Sequence, residues 1–239
     1  HVFNRTGLVR HVHNAVLHKG NHESLEGSTL DRDWDVVIDF AAFTARDAME
    51  SVTFFRNVGR YIFISTASVY DPGISRPESA FDPLAWNIRE NPEEIEKDNL
   101  YKFGKRQAEA VFAQKANFPV TMIRFPFILG PDDYTHRLSF HYDRVRDGKA
   151  IYMPAPKVKV SVVQSEDAAN FLLWSIGQKF TGPVNVASPE SLGLDQLLRW
   201  IADSTGKKPL LVNKETDSNH SPYGVHEDSV LDVSHLVSL

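Results

Sequence analysis

Cysteine is absent from the 239 residues. Disulfide frameworks, cysteine nucleophiles and thiolate metal sites are therefore excluded for this chain, and a reducing cytoplasm is its expected location. No apolar run reaches the roughly 18 residues that a membrane-spanning helix needs, so no membrane partner is expected. Positive charge is not in excess either: 26 Lys+Arg face 31 Asp+Glu, a formal charge of -5. Nucleic acids and anionic membranes select a basic footprint, so neither is an expected partner. What is present is ordinary globular material, 42% hydrophobic and 24% charged. The length exceeds one average domain and falls short of two, which suits one large core or a domain with a smaller lobe attached.

Short apolar, β-branched runs alternate with longer helical patterns. Asp35–Asp39, Arg60–Ser65, Pro119–Arg124, Lys157–Val163, Pro183–Val186 and Pro209–Val212 read as strands, and Val2-Phe3 opens the chain as another. Ala45–Arg56, Asn99–Ala116, His136–Arg146, Glu166–Ile176 and Leu194–Ser204 read as helices, with Thr44 placed as an N-cap for the first. Strand–helix alternation with continuously apolar strands predicts an α/β protein built on a mainly parallel sheet. Ligands of such sheets bind outside the carboxyl ends of the strands, so the residues just after each strand carry most weight. The Pro- and Glu-rich stretch Ile74–Asp98 is too long for a plain connection and is either a lid candidate or a surface insertion.

Three features fall at strand ends or helix starts. Ile64-Ser65-Thr66-Ala67-Ser68-Val69-Tyr70 is a buried strand running into hydroxyl residues. Tyr101-Lys102-Phe103-Gly104-Lys105 opens a helix, and Ile123-Arg124-Phe125-Pro126-Phe127-Ile128-Leu129-Gly130-Pro131 is a strand entering a turn. Tyr101 and Lys105 are one helical turn apart and share a face. An ammonium near a phenol favours the phenolate, which makes Tyr a usable acid or base near neutral pH. Thr66 is placed to hold the same substrate oxygen. Tyr-x-x-x-Lys alone is a weak signal; its position after a hydroxyl-bearing strand end strengthens it.

In this order the motifs resemble the extended short-chain dehydrogenase/reductase superfamily, the NAD-dependent epimerase/dehydratase group. Tyr101 and Lys105 match the catalytic pair, Thr66 the active-site hydroxyl, Arg124–Pro131 the Arg-Pro strand and Gly-Pro turn, and Ser161–Ala169 and Val184–Val186 later family stretches. The resemblance implies a Rossmann-like doubly wound parallel sheet with a small C-terminal substrate lobe. Residues 1–125 and about 158–187 would bind the dinucleotide; residues about 126–157 and 188–239 would form the lobe. It implies a hydride exchanged with NAD or NADP while Tyr101 moves a proton at a substrate hydroxyl. Lys105 would hold the ribose. Asn4, Arg5, Asn21, Phe40, Ala41, Ala42, Phe125 and Pro126 would also meet the cofactor, and Ser68 and Phe127 the small-molecule substrate. A homodimer through the Ala45–Arg56 and Asn99–Ala116 helices is implied by analogy only.

The chain departs from the family pattern in several places. None of the 13 glycines forms the phosphate-binding Gly-x-x-Gly-x-x-Gly. The first strand and its glycine-rich loop are expected to lie upstream of His1; the rival reading is a protein that has lost them. Where an acidic residue would meet the NAD ribose stand Asn4 and Arg5, and Arg5 gives a lean towards NADP. Ala67 and Ser68 replace the Asp-Glu of the sugar dehydratases, and Phe127 stands where many epimerases carry Asn. A non-catalytic dinucleotide sensor or scaffold of the same fold is therefore the alternative to an enzyme. No metal site is expected: His11 and His13 share a strand face but have no third ligand at convincing spacing. Glu93, Glu94 and Glu96 read as a solvated face, and Phe54, Phe55, Phe63, Phe112 and Trp174 as packed core.

Overall fold

The computed structural model describes residues 1–7, 14–20, 30, 32–89, 100–131 and 133–239. Asn21, the His11 and His13 pair, and Glu93, Glu94 and Glu96 lie outside the described residues.

In chain order the strands and helices are β1 (Val2–Asn4), β2 (Leu17–Lys19), β3 (Trp34–Asp39), α1 (Ala45–Phe54), β4 (Val58–Thr66), β5 (Gly73–Arg76), α2 (Leu100–Lys115), β6 (Val120–Phe125), β7 (Phe127–Leu129) and α3 (Arg137–Asp147). They continue as β8 (Ala150–Tyr152), β9 (Lys159–Val160), β10 (Val162–Gln164), α4 (Ser165–Ile176), β11 (Gly182–Asn185), β12 (Leu192–Gly193), α5 (Leu194–Thr205), β13 (Leu210–Val212), β14 (Ser229–Leu231) and α6 (Ser234–Ser238).

The chain divides into two compact units. The first comprises residues 1–69, 81–123 and 179–183, and the second residues 70–80, 124–178 and 184–239. In the first, β1 and β2 form a parallel pair. A separate sheet has the order β11-β6-β4-β3; β6 and β11 begin in this unit and end in the second. β3 and β4 are parallel, with Val36 opposite Arg60 and Asp39 opposite Phe63, so the carboxyl ends of both strands fall together. The core below them joins Ala48, Tyr61, Phe63, Ala108, Val111, Phe112 and Met122. α1 starts where expected because Thr44 makes a capping box: its side chain accepts from the Asp47 N–H, and the Asp47 carboxylate accepts from the Thr44 N–H. The helix stops two residues before Arg56, with Phe55 already extended.

The second unit has its own core, including Val145, Ile151, Val160, Leu194, Leu197 and Ile201. Its strands form a sheet of order β12-β9-β14-β5 and the parallel pairs β7–β10 and β8–β13. The single strand expected over Lys157–Val163 is broken at Ser161. That buried residue donates its N–H to the Ser229 carbonyl at 2.9 Å and accepts from the Leu231 N–H on Oγ at 2.9 Å. The chain thus leaves one sheet and enters another there. The start of the expected lid, Gly73–Arg76, is a strand paired with β14. Hence residues 70–80 and 158–178 pack with the second unit, whereas the reading from resemblance groups them with the nucleotide-binding part. Trp174 is 42% exposed, not core, whereas Phe63 and Phe112 are buried as expected.

Candidate functional site

The carboxyl ends of β3 and β4 and the first turns of α2 meet in the first unit. Lys105 is the buried hub. Its Nζ donates to the Ala42 carbonyl at 2.9 Å and to the Ile64 carbonyl at 2.8 Å, and lies 4.6 Å from the Phe63 ring centre. One ammonium therefore ties α2 to the segments that follow β3 and close β4, with two of its three donors. Burial lowers Lys105 to about 8, against the pull of the Asp39, Glu109 and Asp47 carboxylates.

Two of those carboxylates are buried, and sequence reasoning missed both. Asp39 accepts from the Ala41 and Ala42 N–H groups at 2.7 and 2.9 Å, and from the Tyr61 hydroxyl at 2.6 Å. Burial, followed by the Asp39 charge, pushes the Tyr61 phenol well above its ordinary value. Glu109 is fully buried and accepts from Ser65 Oγ at 2.5 Å. The signal for Glu109 was available: it follows Lys105 by four residues on the buried face of α2. Asp39 gave a weaker one, a carboxylate closing an apolar strand.

Thr66 is the last residue of β4 and is nearly buried. Its Oγ1 accepts from the Ser68 N–H at 3.1 Å and donates to Ser68 Oγ at 3.2 Å, which fixes its rotamer beside the exposed Ser68. Tyr101 stands in the first turn of α2, 46% exposed, its ring tilted against Phe43 at 5.4 Å between centres. The expected shared face is thus graded in depth: the phenol at the rim, the ammonium one turn further in. Gly104 allows this close approach, because a Cβ there would meet the Phe43 carbonyl at 2.8 Å.

The remaining expected residues separate. Phe40, 66% exposed, and Ala41 stand open just past β3. Ala42 is fully buried and its carbonyl accepts from Lys105. Asn4 differs from expectation: its Oδ1 accepts from the Thr6 N–H, Thr6 Oγ1 and Gly7 N–H at 3.1, 3.0 and 2.6 Å, turning the side chain into its own loop. Arg5 is exposed. Phe125, Pro126 and Phe127 belong to the second unit. Phe125 is buried. Phe127 packs edge-on to Tyr223 at 5.2 Å, with the Arg137 guanidinium 5.0 Å over its ring. Among the described residues no three His, Asp or Glu side chains form a metal-holding group.

No protein-family model and no curated protein matches this sequence. Solved structures do match its fold. The UDP-glucose 4-epimerase of Thermotoga maritima, determined with UDP-glucose, superposes with a TM-score of 0.60 at 18% identity over 85% of this chain and 70% of its own. The UDP-glucose 4-epimerase of Thermus thermophilus, in complex with NAD, gives 0.57 at 17%, over 81% and 61% respectively. RMD of Pseudomonas aeruginosa, complexed with NADPH, gives 0.57 at 17%, over 91% and 78%. The chain therefore has the Rossmann-like α/β fold of these proteins and spans 61–78% of their lengths.

Proposed function

We propose that this chain is an NAD(P)-dependent oxidoreductase or epimerase acting on a hydroxyl or keto centre, with Tyr101, Lys105 and Thr66 as its catalytic residues. The observation that carries the reading is the half-exposed Tyr101 one turn before a buried Lys105, which is itself bonded to the ends of two parallel strands.

The donor set around Lys105 fits the nicotinamide-ribose end of a dinucleotide. Lys105 has a third N–H for a ribose hydroxyl, and Phe40 and Ala41 offer open apolar surface at the end of β3. When bound, the nicotinamide supplies the hydride donor or acceptor. Tyr101 Oη gives a proton to the substrate oxygen in reduction and takes it in oxidation, while Thr66 Oγ1 hydrogen-bonds the same oxygen. The Lys105 ammonium stabilises the phenolate left after proton donation. Exposed Arg5 supports the lean towards NADP through a 2′-phosphate contact. The structural neighbours solved with UDP-sugars support a sugar nucleotide as substrate, with Ser68 against it. A homodimer through α1 and α2 belongs to the same reading.

A second reading, a dinucleotide sensor without turnover, is supported by the departures from the family pattern at Asn4 and Phe127. Replacing Tyr101→Phe separates the two. The enzyme reading expects loss of turnover on a panel of UDP-sugars and ketones, with NADPH binding and thermal midpoint retained. Turnover equal to the parent would refute the assignment of Tyr101. NADPH binding by the parent with no turnover across the panel would favour the sensor.

A further inference from the structure

The second unit contains a groove that the proposed reaction leaves unused. It has a volume of about 1120 Å³ and lies over α3 and α5, beside the carboxyl ends of the paired strands β7 and β10. Its floor is core: Leu192, Leu197 and Ile201 are all buried members of the second unit's hydrophobic cluster. Its walls carry Trp200, 54% exposed, and Tyr134, 88% exposed. Large aromatic side chains left open around a rigid apolar floor are the usual furnishing of a small-molecule site.

The rim is held in shape without a ligand. The Asp133 carboxylate accepts from the Thr135 N–H at 2.9 Å, from Thr135 Oγ1, and from the Arg137 N–H at 3.2 Å. His136 then enters α3 with a left-handed backbone, φ 55°, its carbonyl accepting from the Phe140 N–H at 2.8 Å. These bonds hold the loop that bears Tyr134. On the other side, the Ser188 N–H donates to the Val162 carbonyl at 2.8 Å. A pre-shaped rim lowers the ordering cost of binding.

Charge decides what the groove would take. Among the described lining residues there is no Lys or Arg. Burial pushes the Asp133 carboxyl up, but the Thr135 hydroxyl and N–H, the Arg137 N–H and the Arg137 charge outweigh it and hold the carboxylate below its usual range. Glu190 is exposed on the opposite rim and sets the sign of the opening. His136 and the phenols Tyr134 and Tyr142 complete the titratable groups among the described lining residues. A phosphate-bearing ligand would meet the Asp133 and Glu190 carboxylates and no Lys or Arg among the described lining residues, so a cationic ligand is favoured over a nucleotide. An ammonium would gain from Glu190 and from the faces of Trp200 and Tyr134.

The geometry points to a second ligand site in this groove, selective for a flat aromatic ring carrying a cationic nitrogen. It lies within one unit and uses none of Thr66, Tyr101 or Lys105, so it stands or falls independently of the oxidoreductase reading. The test uses a matched pair of probes, tryptamine and indole-3-acetate, titrated at neutral pH and followed by protein amide NMR. Tryptamine should bind saturably, with shifts concentrated in residues 133–142 and 188–204, and at least about fivefold more tightly than the acid. Trp200→Ala and Glu190→Gln should each weaken tryptamine about threefold or more at an unchanged thermal midpoint. Equal affinity for amine and acid would overturn the proposal. So would shifts centred elsewhere, no saturation by either probe in the millimolar range, or undiminished binding by the Trp200→Ala protein.

Discussion

Lys105 concentrates more of this molecule's electrostatics than any motif match conveys. One buried nitrogen faces two carbonyls and feels the Asp39 and Glu109 charges. Its lowered value of about 8 means that it is an ammonium at neutral pH and loses its charge as pH rises through that value. Turnover that depends on the ammonium should therefore fall on the alkaline side of about pH 8, read as the upper limb of a kcat/KM profile. Lys105→Met should cost about 1–3 kcal/mol in urea unfolding, because it leaves the Ala42 and Ile64 carbonyls without their donor. His141 supplies the opposite limb. Its Nδ1 donates to the Arg137 carbonyl at 2.6 Å, its Nε2 accepts from Ser221 Oγ at 3.0 Å, and burial lowers its pKa. Below about pH 6.5 the unfolded imidazole takes up a proton that the folded one still refuses, so stability falls with falling pH. It levels off once the folded ring also protonates. The urea midpoint should drop between pH 7 and pH 5, and less steeply in His141→Gln.

The elements repeat the lesson that local chemistry is legible and coverage is not. α1 was readable because Thr44 and Asp47 cap it from within the same short segment. Thr44→Ala should accordingly cost about 1 kcal/mol in a denaturant titration. The start of α2 was readable through the spacing of Tyr101 and Lys105. Ser161 was not: its side chain bonds a strand some seventy residues onward, and no local pattern announces such a partner. The burial of Ala42 and Phe125 is hidden from the sequence for a related reason. Position after a strand shows where a backbone ends, whereas the packing of other elements decides which side chains stay open. The same packing makes Gly104 a spacing residue. Gly104→Ala would drive a methyl into the Phe43 carbonyl and displace the ring that Tyr101 leans on. We expect kcat to fall about tenfold or more at nearly retained helicity, since about 1 Å of misplacement is costly in a catalytic group.

Over the whole molecule, strand–helix alternation was enough to anticipate the α/β class, and the ordered motifs single out the end of β4 and the first turns of α2, which the fold brings together. The burial of Asp39 beside Lys105 has only a weak local signal, because it exists only once β3, β4 and α2 assemble, whereas Glu109 is legible from its four-residue spacing to Lys105. The boundaries of the two units escape a local reading, since each draws on three chain segments that only packing joins. Cavity mutations should consequently act locally: Phe112→Ala should speed amide exchange mainly in α1, β4 and α2, and Ile151→Ala mainly in α3, β8 and α5. Each should cost about 3–5 kcal/mol. Among the seven tyrosines, Tyr61 of the first unit is pushed well above 10 and Tyr223 of the second to about 12. Raised pH would therefore leave these two rings un-ionised after exposed phenols have turned over in the near-ultraviolet. Their late absorbance steps would be optical markers of melting, one native chromophore for each half of the protein, needing no label.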